Sequence, residues 1–487
     1  MTAVDQVPTH RWRAFAVLAV SFFMTIVDLT IVNVALPTIG RKLHFSESNL
    51  QWVVTAYALT FGGLLLLGGR AADLLGRRRI LMLGLSVFTA ASLACALSTG
   101  DAVLIVMRGI QGLGAAIVLP AALSIVMNMF AEGAERNKAL GIWGGIGAAG
   151  ATVGLIAGGL LTRYVGWQYI FFLNVPIGAA ALLLAPRVVP ESRLDAVKRR
   201  YDTFGGLSVT AGLLLLVYAL SKAPQDGWAS ARTISLLAAA GTLVVAFLVI
   251  ETRVEVPLLP LRIFRLRTLA GANAVGLLLG GSFFAFIFIG TLYMQQVLGY
   301  SAIKTGLAWL AASLTSVAFA GLAQALVGKV SVKLVMAFGM ALIGGGILWA
   351  ASVPVHGHFW SDLAGPFFVT GAGTAFAFIP ISIAGLAGVA EHEAGIASGL
   401  LNTTQQIGGA IGVAVASTIT ASRFTTLTHA GSAAPAALTG GFQWALWVCG
   451  AIGLAAVPVT LLLGRRRGLV HATATVPDEQ PALASAK

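Results

Sequence analysis

LQWVVTAYALTFGGLLLLGG (50–69), RAADLLGRRR (70–79) and ILMLGLSVFTAASLACALS (80–98) follow one another without a gap. The two outer stretches contain no Lys, Arg, Asp or Glu, and each has about the 20 residues a helix needs to cross about 30 Å of hydrocarbon. Between them lie four arginines and one aspartate. The apolar runs are continuous rather than alternating, which suits helices and excludes the strands of a membrane barrel. A pair of membrane helices joined by a short charged loop is the reading that decides the fold.

The same pattern recurs along the chain, near 14–36, 50–69, 80–98, 102–127, 139–161, 169–186, 204–221, 233–250, 269–292, 306–328, 334–353, 363–386, 396–421 and 442–464. The expected fold is therefore an all-α integral membrane protein with about fourteen transmembrane helices. Composition agrees: 57% of the 487 residues are hydrophobic and 10% charged, against roughly 45–50% and 25% in soluble domains. The 31 basic and 18 acidic residues cannot clothe a soluble chain of this length. When Lys and Arg are assigned to alternate sides of the spans, 23 fall on the side of the N-terminus and 7 opposite. This bias places both termini in the cytoplasm of a multi-pass protein of the cell (inner or plasma) membrane, and it accounts for the +13 net charge without nucleic acid. The first span follows basic residues as a signal peptide would, but it is too long and lacks a small-residue cleavage site. Cys95 and Cys449 fall within spans, so no disulfide is expected.

An internal repeat counts the helices. Gly112-Leu-Gly-Ala-Ala with Pro120 has an echo in Gly371-Ala-Gly-Thr-Ala with Pro380, and Ala139, Gly141, Gly150 and Gly154 match Ala397, Gly399, Gly408 and Gly412. Helices four and five thus return as twelve and thirteen, an offset of eight. Two six-helix bundles with two extra helices inserted between them give that offset, and parallel repeats of this kind build one large class of transporters. The expected divisions are a first bundle at 1–186, a linker with the extra helices at 187–268, a second bundle at 269–467 and a disordered cytoplasmic tail at 468–487, rich in Ala, Thr and Pro.

Gly69-Arg-Ala-Ala-Asp73-Leu-Leu-Gly76-Arg77-Arg78-Arg79 resembles the loop between helices two and three of the major facilitator superfamily. Its glycines permit a tight turn, while Asp73 and the arginines can reach a neighbouring helix end, so Gly69, Asp73, Gly76, Arg77 and Arg78 are read as a conformational latch. Asp28-Leu-Thr-Ile-Val-Asn33-Val-Ala-Leu-Pro37, Arg108-Gly-Ile-Gln111-Gly112-Leu-Gly114, Tyr293-Met-Gln295-Gln296-Val-Leu-Gly299-Tyr300-Ser301 and Gly399-Leu-Leu-Asn402-Thr-Thr-Gln405-Gln406-Ile-Gly408 resemble segments of that superfamily's fourteen-helix branch of drug:proton antiporters. The resemblance implies a secondary efflux transporter that exchanges protons for lipophilic, drug-like compounds. Helix five, Gly150-Ala-Thr-Val-Gly154-Leu155-Ile-Ala-Gly158-Gly159, departs from the branch: its motif has Pro where Leu155 stands. The glycine spacing remains, so Gly150, Gly154, Gly158 and Gly159 are expected to pack helices closely. Gly166-Trp167-Gln168-Tyr169 likewise has Gln and Tyr where the superfamily shows Arg and Trp.

Two charged residues sit well inside spans, Asp28 in helix one and Arg108 in helix four, and each costs about 2.5–3.5 kcal/mol to insert. Helix one runs outward and helix four inward, which brings them to similar depth. They are read either as a structural ion pair or as the proton-coupling site, with Asp28 carrying the proton and Arg108 discharging it. No histidine lies in a span to compete, and His356-Gly-His358 lacks further ligands, so no metal is expected. Asn33, Tyr57, Gln111, Gln295, Gln296, Asn402, Gln405 and Gln406 are uncharged polar side chains that either line a substrate cavity or link helices. With Asp28 the sole midspan acid, neutral or singly cationic substrates are expected. No phosphate-binding loop exists in the chain, so an ion gradient is the expected driver and no cofactor is needed. A dedicated exporter of one endogenous metabolite or antibiotic would use the same machinery. A membrane enzyme would need catalytic groups gathered at one depth, and only one ionic pair is present. The expected partners are a lipophilic small molecule, protons and the lipid bilayer, and the expected state is a monomer.

Overall fold

The computed structural model describes residues 11–45, 50, 52–130, 133–191, 202–254, 257–390 and 393–461. Fourteen long helices are found among them: α1 (Arg11–Lys42), α2 (Trp52–Leu75), α3 (Arg77–Ala96), α4 (Asp101–Met129), α5 (Ala134–Tyr164), α6 (Tyr169–Val188, broken briefly at Leu173), α7 (Thr203–Asp226), α8 (Ala231–Arg253), α9 (Arg267–Leu292), α10 (Ala302–Lys329), α11 (Val332–Ala350), α12 (Ala364–Leu386), α13 (Ala394–His429) and α14 (Ala434–Leu461). There is no strand among the described residues. Among the described residues thirteen helices are long and apolar enough to cross a membrane. α5, with 31 residues, runs packed between α1 and α10. Several helices outrun their apolar cores, α1 and α13 most of all, because backbone hydrogen bonding continues past the last apolar residue. The tail at 468–487 lies outside the described residues.

Local chemistry sets several helix ends. The side chains of Asp202, Ser230 and Ser301 accept the N–H groups of Gly205, Thr233 and Lys304 at 2.8, 3.1 and 3.2 Å, capping α7, α8 and α10. Between α2 and α3 the chain turns at Gly76, whose φ of 104° is left-handed and favours a residue without Cβ.

Packing repeats at the offset of eight helices. In the first six, α2 and α3 pack on α4, α1 packs on α5, and α1 and α3 pack on α6; later in the chain α10 and α11 pack on α12, α9 packs on α13, and α9 and α11 pack on α14. Contacts across the molecule also come in matched pairs, α2 with α13 and α10 with α5, α4 with α13 and α12 with α5. The inserted helices break the symmetry. They pack on each other, and α7 also lies against both α2 and α13, covering that seam. Its connection to α8 reaches α13 through Trp228 Nε1, which donates to Thr418 Oγ1 at 2.7 Å. Among the described residues no counterpart of α7 covers the α5–α10 seam.

Candidate functional site

Five helices of the first half converge on Asp28. A side chain on α1 meets Arg108 and Gln111, which lie one turn apart on α4 and so share a face. Arg108 Nη1 donates to Asp28 Oδ2 at 2.6 Å and to Gln111 Oε1 at 2.7 Å, and its Nε donates to the Val53 carbonyl of α2 at 2.9 Å. Asp28 Oδ1 accepts from Gln111 Nε2 at 2.8 Å and from Asn174 Nδ2 of α6 at 2.7 Å. Gln111 Nε2 also reaches Ser92 Oγ of α3 at 2.7 Å. Asp28, Arg108 and Gln111 are each 0% exposed. The guanidinium lies 4.3 Å from the Tyr57 ring centre and 5.7 Å from that of Phe171. Its Nη2 is buried with no hydrogen-bond partner, so these ring faces are what it meets. With three side-chain donors directed at one carboxyl, the site fits the carboxylate, which only accepts.

At the arginine-rich end, Asp73 joins the two halves. Arg77 Nε and Nη2 donate to its Oδ1 at 3.2 and 3.1 Å, and the backbone N–H groups of Gly395 and Ile396 donate to Oδ1 and Oδ2 at 3.3 and 3.1 Å. Those amides open α13, 36 residues long, so a carboxylate sits at the positive end of a helix dipole belonging to the opposite half. Gly69 passes beside Gly395, where a Cβ on either glycine would collide. Arg78 faces elsewhere, toward the Pro186 and Val189 carbonyls at 3.4 and 3.1 Å and Glu191 at 3.4 Å, and ties α3 to the end of α6.

Gly150, Gly154 and Gly158 face α1: a Cβ would lie 3.0 Å from Ile26 Cγ2, 2.7 Å from the Val27 oxygen and 2.5 Å from the Ile31 oxygen respectively. Gly159 faces α10, against Ile303. Leu155, in place of a kinking proline, packs at the α10 side near Gly306, and α5 runs unbroken.

The remaining polar residues separate into groups. Tyr57 and Gln111 are enclosed in the Asp28 network, with Tyr57 Oη donating to the Thr25 carbonyl at 3.2 Å. Asn33 is exposed and donates to Leu29 and Thr30 of its own helix. Asn402 donates back to Ser398, Gln405 lies against Gly276 of α9, and Gln406 faces Gly62 of α2. Gln295 and Gln296 occupy a π-helical turn beyond α9, at Tyr293–Val297. From residue 276 to 295 a helix rises about 28 Å, so these two amides stand far from the Asn402–Gln406 group. His356 and His358 gain no ligands: no group of three or more His, Cys, Asp or Glu positioned for a metal occurs among the described residues.

Sequence reasoning missed Asn174, Ser92, Phe171 and the Val53 carbonyl. Asn174 left one trace, an amide inside an otherwise apolar run; the Val53 carbonyl, a backbone group, left none.

The family model described as the Major Facilitator Superfamily matches residues 18–413. The chain is 37% identical over 414 residues to the puromycin resistance protein pur8 of Streptomyces alboniger, covering 84% of this chain and 82% of that one. It is equally 37% identical over 413 residues to the cephamycin export protein CmcT of Amycolatopsis lactamdurans, covering 84% and 85%. Its fold is similar to the crystal structure of the human organic anion transporter MFSD10 (TETRAN), with a TM-score of 0.65, 15% identity, and coverage of 93% of this chain and 100% of that one.

Proposed function

The chain belongs to the Major Facilitator Superfamily, a multi-pass membrane transporter and not an enzyme, and on that premise we propose that it exports lipophilic, neutral or singly cationic drug-like compounds in exchange for protons. The observation that carries this reading is the Asp28–Arg108 pair, a fully buried ion pair at the centre of a hydrogen-bond network that draws on five helices. Such a pair has two states. With Asp28 ionised, Arg108, Gln111 and Asn174 all hold the carboxylate and draw α1, α4 and α6 together. A proton on Asp28 removes its charge and weakens its hold on Arg108, while the guanidinium keeps Val53, Gln111 and the Tyr57 face. Protonation thus loosens one set of helix contacts and leaves another in place, which is the coupling an antiporter requires.

Alternating access follows if the first six helices and the last six, 1–186 and 269–467, rock as two bundles. Both termini are then cytoplasmic, and the Asp73 contact with α13 closes the cytoplasmic end of the path. Opening toward the cytoplasm breaks it, so Gly69, Asp73, Gly76 and Arg77 act as the latch. Arg78, which ties α3 to the end of α6, steadies the first bundle. The glycines of α5 allow α1 to follow the movement.

Efflux of a lipophilic cationic dye from cells producing the protein, with and without a protonophore, tests the reading. Protonophore should abolish efflux, and Asp28→Asn should remove proton-driven efflux while ligand binding stays measurable. Normal proton-driven efflux by that variant would refute the role of Asp28. A second reading, export of a single antibiotic by the same mechanism, is favoured by the two relatives, each named for one compound. A panel of unrelated lipophilic compounds separates the two: one exported compound supports the narrow reading, several the broad one.

A further inference from the structure

We propose that Asp202 and Glu251 form a second proton-binding site, at the arginine-rich end of the inserted hairpin, where one shared proton fastens the connection between α8 and α9. It is independent of the export reading. Asp202 caps α7 with Oδ1, which accepts from Gly205, while its Oδ2 is buried with no hydrogen-bond partner among the described residues. Glu251, in the last turn of α8 and 5% exposed, accepts the Leu258 N–H at 3.2 Å with Oε1 and the Leu259 N–H at 3.0 Å with Oε2. The two carboxyls converge beside Gly205, where a Cβ would press on Asp202 Oδ2 and lie 3.0 Å from Glu251 Oε1. Two carboxylates have no hydrogen to place between them, and like charges in a buried spot repel. One proton held by the pair supplies both the hydrogen bond and the lost charge, as in other carboxyl dyads.

Among the described residues the surroundings do not supply a substitute. From α2, Arg70 faces Glu251, but its Nη2 donates to the Pro257 carbonyl at 3.0 Å, and it also lies in the fields of Asp73 and Glu393. Glu393, before α13, pairs with Arg262 at 2.9 Å. Arg253, on the exposed side of α8, faces away. The stretch from Pro257 to Leu259 is therefore held by Glu251 on one side and by Arg70 on the other. Arg70 lies three residues from Asp73. Loss of the shared proton sets Asp202 against Glu251, frees the Leu258 and Leu259 amides, and loosens the strap beside the α13 contact.

Hydrogen exchange on the full chain in lipid nanodiscs, corrected for the intrinsic effect of pH, tests this on peptides spanning residues 254–266. Protection in the unaltered protein should fall at least tenfold between pH 6 and pH 8.5. Asp202→Asn supplies a hydrogen that does not titrate, so its protection should stay high throughout, and Glu251→Gln should be equally insensitive to pH. The Asp28→Asn variant should keep the unaltered profile. A flat profile in the unaltered protein, an unchanged profile in both amide variants, or its disappearance in Asp28→Asn would each overturn the proposal. So would low protection at every pH in both amide variants, since a missing hydrogen would then not be what holds the strap.

Discussion

Arg108 meets three oxygens and two aromatic rings with one planar group, and no other residue type does this. Arg108→Ala leaves Asp28 buried without its counter-charge and should cost about 3–5 kcal/mol, read as a fall in thermal unfolding temperature in detergent. Adding Asp28→Asn to it removes the stranded charge and should recover most of that loss. A double variant no more stable than the single one would show that the pair contributes little. The same comparison shows what could be read without coordinates. Asp28 and Arg108 stood out because charge inside a span is costly enough to be conspicuous. Asn174, equally close to Asp28, did not, because a neutral amide in a membrane helix has many uses and gives no sign of which neighbour it meets. Gln111 and Tyr57 were recognisable as special, but whether they faced open space or the ion pair depended on helix rotation, which spacing alone does not supply.

At the scale of helices, the α13 contact would make the proposed latch a matter of one helix end. Asp73→Ala withdraws the carboxylate from the Gly395 and Ile396 amides, a loss of about 1–2 kcal/mol for a capping interaction and so roughly a tenfold shift toward separation at that end. Ser398, fully buried beside Pro120, reports it: a cysteine there should label faster in Asp73→Ala than in the unaltered background, and equal rates would argue against the latch. The glycines of α5 separate crowding from propensity. Gly154→Ala forces a methyl against Val27 and Thr30 of α1 and should destabilise by about 1–3 kcal/mol, whereas Gly145→Ala enters open space and should be neutral or slightly stabilising in the same melting assay. Helix number and order were legible, since about 20 apolar residues admit few other structures in a bilayer. Helix ends were less so, as backbone hydrogen bonding carries α1 and α13 well beyond their apolar cores.

Across the molecule, the repeat puts unlike chemistry at equivalent places. Gly112 meets the backbone of Tyr57, and Gly371 meets that of Ala312 in the same α4-on-α2 relation, which sets Phe367 opposite Arg108 in the second half. Phe367 stacks on Trp309 at 4.3 Å and meets Phe286 edge-on at 5.7 Å. Charge fills the core of one half and aromatic packing the core of the other. The glycine echoes made the duplication legible, but not the covered seam, because nothing in the apolar faces of α7 names the helices they lie on. Asp28 is the one carboxylate in the middle of a span among the described residues, and this has an electrical consequence if a single proton enters for each compound that leaves. Exchange for a monocation then moves no net charge, while exchange for a neutral compound carries one positive charge inward, worth about 2.3 kcal/mol per 100 mV. In proteoliposomes with an imposed potassium diffusion potential, an interior-negative voltage should speed export of neutral compounds and leave monocations responsive to the pH gradient alone; a monocation whose export follows voltage would refute one-for-one exchange. With one-for-one exchange a dication would travel against that voltage, so a lone coupling carboxylate would set which substrates an energised membrane lets the protein expel.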